Sequence, residues 1–143
     1  MRISAPETLH ATCVMIGDRA VLITGPSGSG KSDLALRLID RGATLVSDDY
    51  TVVHARDDAL FASAPTTITG LIEVRGIGLV PMPCANDARV ALVVALTDEV
   101  ARFPEDDQHR VIAGISIAKY DISAFEASAP IKVELIMKMH RII

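Results

Sequence analysis

The sequence predicts an α/β fold: one domain over residues 1–143, a mixed β-sheet carrying a phosphate-binding loop (P-loop) and flanked by helices. Three observations lead there. Gly25-Pro26-Ser27-Gly28-Ser29-Gly30-Lys31-Ser32 spells G-x-x-x-x-G-K-S between the apolar run Ala20-Val21-Leu22-Ile23-Thr24 and a stretch with helical spacing. Polar turns at Gly17-Asp18-Arg19 and Arg56-Asp57-Asp58 separate apolar runs and read as hairpins, so the sheet is not purely parallel. Half of the chain is apolar, yet it has three Phe, two Tyr and no Trp, so the core is built from Val, Ile, Leu, Ala and Met.

The elements follow in order. Residues 9–16 read as the first strand, turning into the strand at 20–24 that feeds the P-loop. A helix covers 31–41 and stops at Gly42, a residue suited to a left-handed cap. Residues 43–47 form a strand ending in Asp48-Asp49, and a hairpin pairs 50–54 with 60–62. Residues 71–80 are irregular and contain glycines, 90–96 are a buried strand, and the charged stretch 98–108 is a loop. Short strands come at 111–117 and 120–123. The last helix starts at Ser128 or Ala129 with Pro130 in its first turn, and its Ile131, Leu135, Ile136, Met139 and Ile142 are expected to face the core.

Glycine and serine let the 25–32 loop curl its backbone N–H groups around an anion, and the positive end of the following helix points to the same place. In this motif the lysine, Lys31, reaches the β- and γ-phosphates and the hydroxyl of Ser32 ligates Mg²⁺. A nucleoside triphosphate is the expected ligand. The pair Asp48-Asp49, at a strand end shortly after the first helix, can divide two tasks, one carboxylate near Mg²⁺ and the other accepting a proton from a hydroxyl nucleophile. Neighbouring strand residues point to opposite faces, which suits such a division, and the pair reaches the loop if the two strands are neighbours. Glu73 and Arg75 alternate in an extended segment, as a metal-directed carboxylate and a phosphate-directed cation would. A surface ion pair has the same pattern. On local sequence alone, His10 is an end-of-strand residue and Arg102 a solvated loop cation.

Composition limits the function. A net charge of −4, no basic block and few aromatics give nucleic-acid binding little support. Cys13 and Cys84 lie in no metal-like spacing, which argues against a zinc site or disulfide framework. The N-terminus lacks the apolar stretch of a signal peptide, and no apolar run is long enough to span a bilayer, so a cytoplasmic, membrane-free protein is expected.

Together these residues resemble the catalytic domain of HPr kinase/phosphorylase, a bacterial enzyme that uses ATP and Mg²⁺ to phosphorylate a serine of the phosphocarrier protein HPr. The P-loop is common to many NTPases. More specific are Lys31-Ser32 followed by Arg41-Gly42 and Asp48-Asp49, and Ile72-Glu73-Val74-Arg75-Gly76-Ile77-Gly78, which is similar to the family's Leu-Glu-Ile-Arg-Gly-Leu-Gly. The resemblance implies a phosphoenolpyruvate-carboxykinase-like fold and an HPr-like phosphocarrier as partner. It implies Asp49 as general base with Asp48 beside it, Lys31 as the loop lysine, and Ser32 and Glu73 as Mg²⁺ ligands. His10 and Arg102 are implied as further active-site groups. Family members are hexameric, so a homo-oligomer is plausible by resemblance. Two departures stand out: by this resemblance the chain is expected to be a short form without the family's N-terminal domain, and residues 123–128 hold no Arg and one Glu where the family has a basic loop linked to dephosphorylation. That departure puts phosphorylase activity in doubt. A small-molecule P-loop kinase would carry an Arg-rich lid, whereas 98–110 offers only Arg102 and Arg110. A non-catalytic nucleotide switch would not need Asp48, Asp49 and Glu73 together.

Overall fold

The computed structural model describes residues 3–104 and 107–140. Strands β1 (Glu7–Leu9), β2 (Ala11–Ile16) and β3 (Arg19–Thr24) lead through the 25–30 loop into helix α1 (Lys31–Asp40). Then come β4 (Thr44–Ser47), β5 (Thr51–Arg56), β6 (Ala59–Ser63), β7 (Leu71–Val74) and β8 (Gly78–Pro81). The chain continues with β9 (Ala88–Leu96), β10 (His109–Ile112), β11 (Ile115–Ile122) and helix α2 (Ala129–Met139). No described helix is long and apolar enough to cross a membrane.

The long strand β9 organises the sheet. Along Val90–Ala95 it pairs in parallel with β3, and along Leu92–Leu96 it pairs in parallel with β11. Antiparallel partners complete this layer: β2 on β3, β4 on β2, and β10 on β11. The start of β9, at Ala88 and Arg89, instead pairs antiparallel with β6, and β5 and β1 continue from there. The sheet therefore curls over itself, and its central strands are covered on both faces. On β3 the alternation is direct: Val21 and Ile23 enter the core under α1 and α2, while Ala20 and Leu22 enter the core shared with Val53, Leu60 and Ala62. Cys13 is fully enclosed in that second core, where burial pushes its thiol pKa far up and leaves it inert.

Helix α1 ends in a Schellman motif. Ala43 N–H donates to Leu38 O and Gly42 N–H to Ile39 O, both at 3.0 Å, with Gly42 at φ 111°. Beyond it, Arg41 Nε and Nη2 each lie 2.8 Å from Glu134 Oε1, tying this end to α2.

Four expectations need correction. The strand expected over 9–16 breaks at His10: β1 pairs with β5 and β2 with β3, so the chain changes layers there. The stretch expected to be irregular at 71–80 is the hairpin β7–β8, closed by Ile77 N–H donating to Val74 O at 2.9 Å, and Gly76 supplies the positive φ of 86° that the turn requires. The two short strands expected at 111–117 and 120–123 are one hairpin, β10–β11, turning at Ala113 and Gly114 with φ 51° and 80°. A two-residue turn with both φ positive usually announces itself with Asn or Asp, and Ala-Gly hid it. Finally, α2 buries Ala129, Val133, Ile136 and Met137, whereas Ile131, Leu135 and Met139 are exposed. The helix is apolar on two sides, so periodicity could not choose between them; Ile142 lies outside the described residues, as do positions 105 and 106 of the expected loop.

Candidate active site

Antiparallel pairing of Ala11 with Thr24 and of Cys13 with Ser47 brings three chain positions to one edge: the start of β2, the end of β3 and the end of β4. β4 is not a neighbour of β3, because β2 lies between them. Contact between the 25–32 loop and the aspartates comes instead from the first turn of α1, where Ser32 Oγ donates to Asp48 Oδ1 at 2.6 Å.

The loop is shaped by residues that could not be larger. A Cβ on Gly25 would come within 2.6 Å of Ser29 Oγ, and one on Gly30 would lie 3.0 Å from Ala124 Cβ. Gly30 caps α1 at φ 96° and allows the 123–128 segment to close against the helix start. Arg37 on α1 holds that segment by donating to the carbonyls of Ala124 and Glu126. The Ser29 hydroxyl oxygen is buried with no hydrogen-bond partner among the described residues. Lys31 is buried, its Nζ folded back to donate to Gly25 O at 2.8 Å and Pro26 O at 3.2 Å. A buried ammonium and an orphaned hydroxyl in a glycine-rich turn suit an anion.

The two aspartates differ in environment. Asp48 is buried, and besides Ser32 it accepts from Thr12 Oγ1 at 3.2 Å and, through Oδ2, from the backbone N–H of Glu73 at 2.9 Å. Asp49 keeps a side chain 52% exposed, and its Oδ1 accepts from His10 Nε2 at 2.8 Å. The backbone separates the two carboxylates: Asp49 has φ 66°, the middle of a three-residue turn in which Tyr50 N–H donates to Asp48 O at 2.7 Å. A non-glycine residue in that region is strained. Neighbours hold the turn, with Asp49 N–H donating to Thr12 Oγ1 at 3.1 Å and Ser47 Oγ donating to Tyr50 O. The His10 ring stacks on Tyr50, centroids 5.2 Å apart.

A cleft of about 500 Å³ joins Ser27, Gly28, Gly30, Lys31 and Ser32 to Asp49, Glu73 and Arg75, with Phe125 on its wall. Of the residues the sequence proposes, the structure brings together Lys31, Ser32, Asp48, Asp49, Glu73 and His10. Gly25, Pro26 and Ser29 complete the loop behind them. Arg102 is not among them: it is exposed outside the cleft, with its guanidinium 5.7 Å from the Phe103 ring centroid. No sequence motif assigns Thr12, Arg37 or Phe125 to the site. A hydroxyl two residues after His10 was the one available signal for Thr12. Among the described residues no three His, Cys, Asp or Glu side chains cluster as a ready-made metal cage. Mg²⁺ does not need one, since it keeps waters and takes one or two carboxylates together with phosphate oxygens.

Comparison with known proteins gives a consistent result. The family model described as HPr Serine kinase C-terminal domain matches residues 1–143. HPr kinase/phosphorylase of Clostridium acetobutylicum is 35% identical over 128 residues, covering 80% of this chain and 42% of that protein. The Limosilactobacillus reuteri protein of the same name is 45% identical over 80 residues, 55% of this chain and 25% of that one. Among solved structures, the Hpr(Ser) kinase/phosphatase from Coxiella burnetii superimposes with a TM-score of 0.82 at 31% identity, over 94% of this chain and 96% of that one. The chain thus spans less than half the length of the curated relatives it matches.

Proposed function

The chain belongs to the HPr serine kinase C-terminal domain family, and from that premise we propose that it is an ATP- and Mg²⁺-dependent protein kinase that phosphorylates a serine of an HPr-like phosphocarrier. In this reading residues 1–143 act as one P-loop catalytic domain of the phosphoenolpyruvate-carboxykinase-like branch. One observation carries it: the half-exposed Asp49 carboxylate, bonded to His10, shares a cleft with a glycine-rich loop that holds a buried lysine.

The loop residues fit a triphosphate. Lys31 Nζ, satisfied by two carbonyls in the free protein, has a ready exchange partner in phosphate oxygens, and the Ser29 hydroxyl has a donor to offer. The free N–H groups at the start of α1 face the same anion. Ser32 and Glu73, with Asp48 beside them, are the residues that would hold Mg²⁺. When bound, the ion neutralises charge on the phosphate oxygens. Asp49 takes the proton of the acceptor serine hydroxyl at its carboxylate, and His10 Nε2 orients Oδ1 of that group. Half-exposure suits an acceptor presented on another protein's surface. Arg102 is proposed on the resemblance alone as a cation near the transferring group. Arg75 lines the cleft, so R102A and R75A assayed in parallel identify the cation in use.

The kinase direction alone is proposed. In the 123–128 segment Phe125 faces the cleft and Glu126 pairs with Lys132 at 2.6 Å, so this loop offers no cation to position inorganic phosphate against a phosphoserine.

Transfer of labelled γ-phosphate from ATP·Mg²⁺ to purified HPr-like phosphocarrier tests the reading. Label is expected on the phosphocarrier and absent from a variant lacking the target serine. Tight nucleotide binding without serine-dependent label would point to another acceptor.

A further inference from the structure

We infer that Thr12 is the positioning residue that sets the two aspartates to separate tasks, an inference that rests on the kinase reading and adds a residue to it. Thr12 is fully buried on β2, and the ladder pairing Cys13 with Ser47 puts it opposite the point where β4 runs out into Asp48. One hydroxyl makes two bonds of opposite sense: it donates to Asp48 Oδ1 at 3.2 Å and accepts from Asp49 N–H at 3.1 Å. A hydroxyl can do both at once, since it has one hydrogen to give and lone pairs to receive; a methyl group can do neither.

The consequence is a division of labour between adjacent carboxylates. Asp48 is surrounded by three donors, Thr12 and Ser32 on Oδ1 and the Glu73 N–H on Oδ2, which fix its orientation. Among the described residues Asp49 has one side-chain partner, His10, and it stays open to the cleft. Its direction depends on a backbone turn at φ 66° that a non-glycine residue does not hold unaided. Tyr50 N–H and Ser47 secure the far side of that turn, and Thr12 secures the Asp49 amide itself. Removing the hydroxyl releases the amide and one bond to Asp48 together, so the base swings while the nucleotide loop stays in place.

The test compares T12V, close in shape but without the hydroxyl, with T12S, which keeps it. T12A repeats the loss if valine at this buried position prevents folding. Expected for T12V is a kcat on the order of 10- to 100-fold lower, the cost of a misplaced reacting group, with KM and Kd for ATP within about twofold. T12S is expected to recover most of the kcat. A second readout needs no turnover: in the free protein, the NMR resonances of the His10 ring report its contact with Asp49, and they should move in T12V and return in T12S. Unchanged kcat and unchanged His10 resonances in T12V overturn the inference. So does an equal loss in T12S, which would assign the effect to packing of the methyl group, or a loss confined to nucleotide affinity. If the wild-type protein transfers no phosphate at all, the kinase reading fails, and the His10 resonances still decide whether Thr12 positions Asp49.

Discussion

Strand β3 runs between two cavities that differ in kind. At its start a space of about 640 Å³ opens beside Arg19, Arg89 and Ser116; at its end lies the smaller cleft of about 500 Å³ around the 25–32 loop. At the first, Arg19 is fully engaged, with Nη1 donating to His140 O at 2.9 Å and Nη2 to Met137 O at 3.2 Å. Those carbonyls close α2, and a cation there suits the negative end of the helix. His140 Nε2 is likewise occupied, by the Tyr120 hydroxyl at 2.7 Å. At the other end the bonds are provisional. An ammonium rests on loop carbonyls, a buried hydroxyl has no described partner, and an aspartate sits in strained backbone. Volume therefore does not single out the candidate site, and neither does positive φ, which occurs at Asp49 beside the smaller cleft and at Asp58 beside the larger; the buried ammonium and the orphaned hydroxyl do.

Substitutions at the two ends should separate cleanly. The largest effect is expected for D49N, which keeps the size of the side chain and removes the base: serine phosphorylation should fall about 10³-fold while ATP affinity is retained. Unchanged turnover would remove Asp49 from the base role. K31A acts on binding, costing about 2 kcal/mol, or roughly 30-fold in nucleotide Kd measured by calorimetry, because a charge-assisted contact to phosphate is lost. At the far end, R19A should lower unfolding free energy by about 2 kcal/mol in a denaturant titration and leave kcat and nucleotide affinity unaltered. A kinetic effect of R19A would join the two ends and break the contrast.

Much of this was legible in the sequence, for identifiable reasons. The loop and helix start were readable because Gly, Lys and Ser at fixed spacing leave few alternatives. The Schellman end at Gly42 and Pro130 at the start of α2 carried equally local signals. Pairing was harder. Nothing local indicates that β2 lies between β3 and β4, so a direct strand-to-strand approach of Asp48-Asp49 to the loop was a reasonable expectation; the actual path runs through Ser32. Nor does alternation along a strand separate the two carboxylates. A turn at Asp49 does so, and the role of Thr12 depends on it. On α2 the expected Ile136 does enter the core, whereas Ile131, Leu135 and Met139 are exposed although they repeat as regularly as Ala129, Val133 and Met137. Only tertiary packing distinguishes two such stripes.

The most direct test of the contrast between the ends of β3 is a titration of the ¹⁵N-labelled protein with ATP·Mg²⁺, followed by amide chemical shifts. Perturbations are expected to concentrate on Gly25, Gly28, Ser29, Gly30, Lys31 and Ser32, extending to Asp49 and Glu73, with Arg19, Arg89 and Ser116 unmoved. Shifts centred on Arg19, Arg89 and Ser116, or none at saturating nucleotide, would contradict the assignment of the active site.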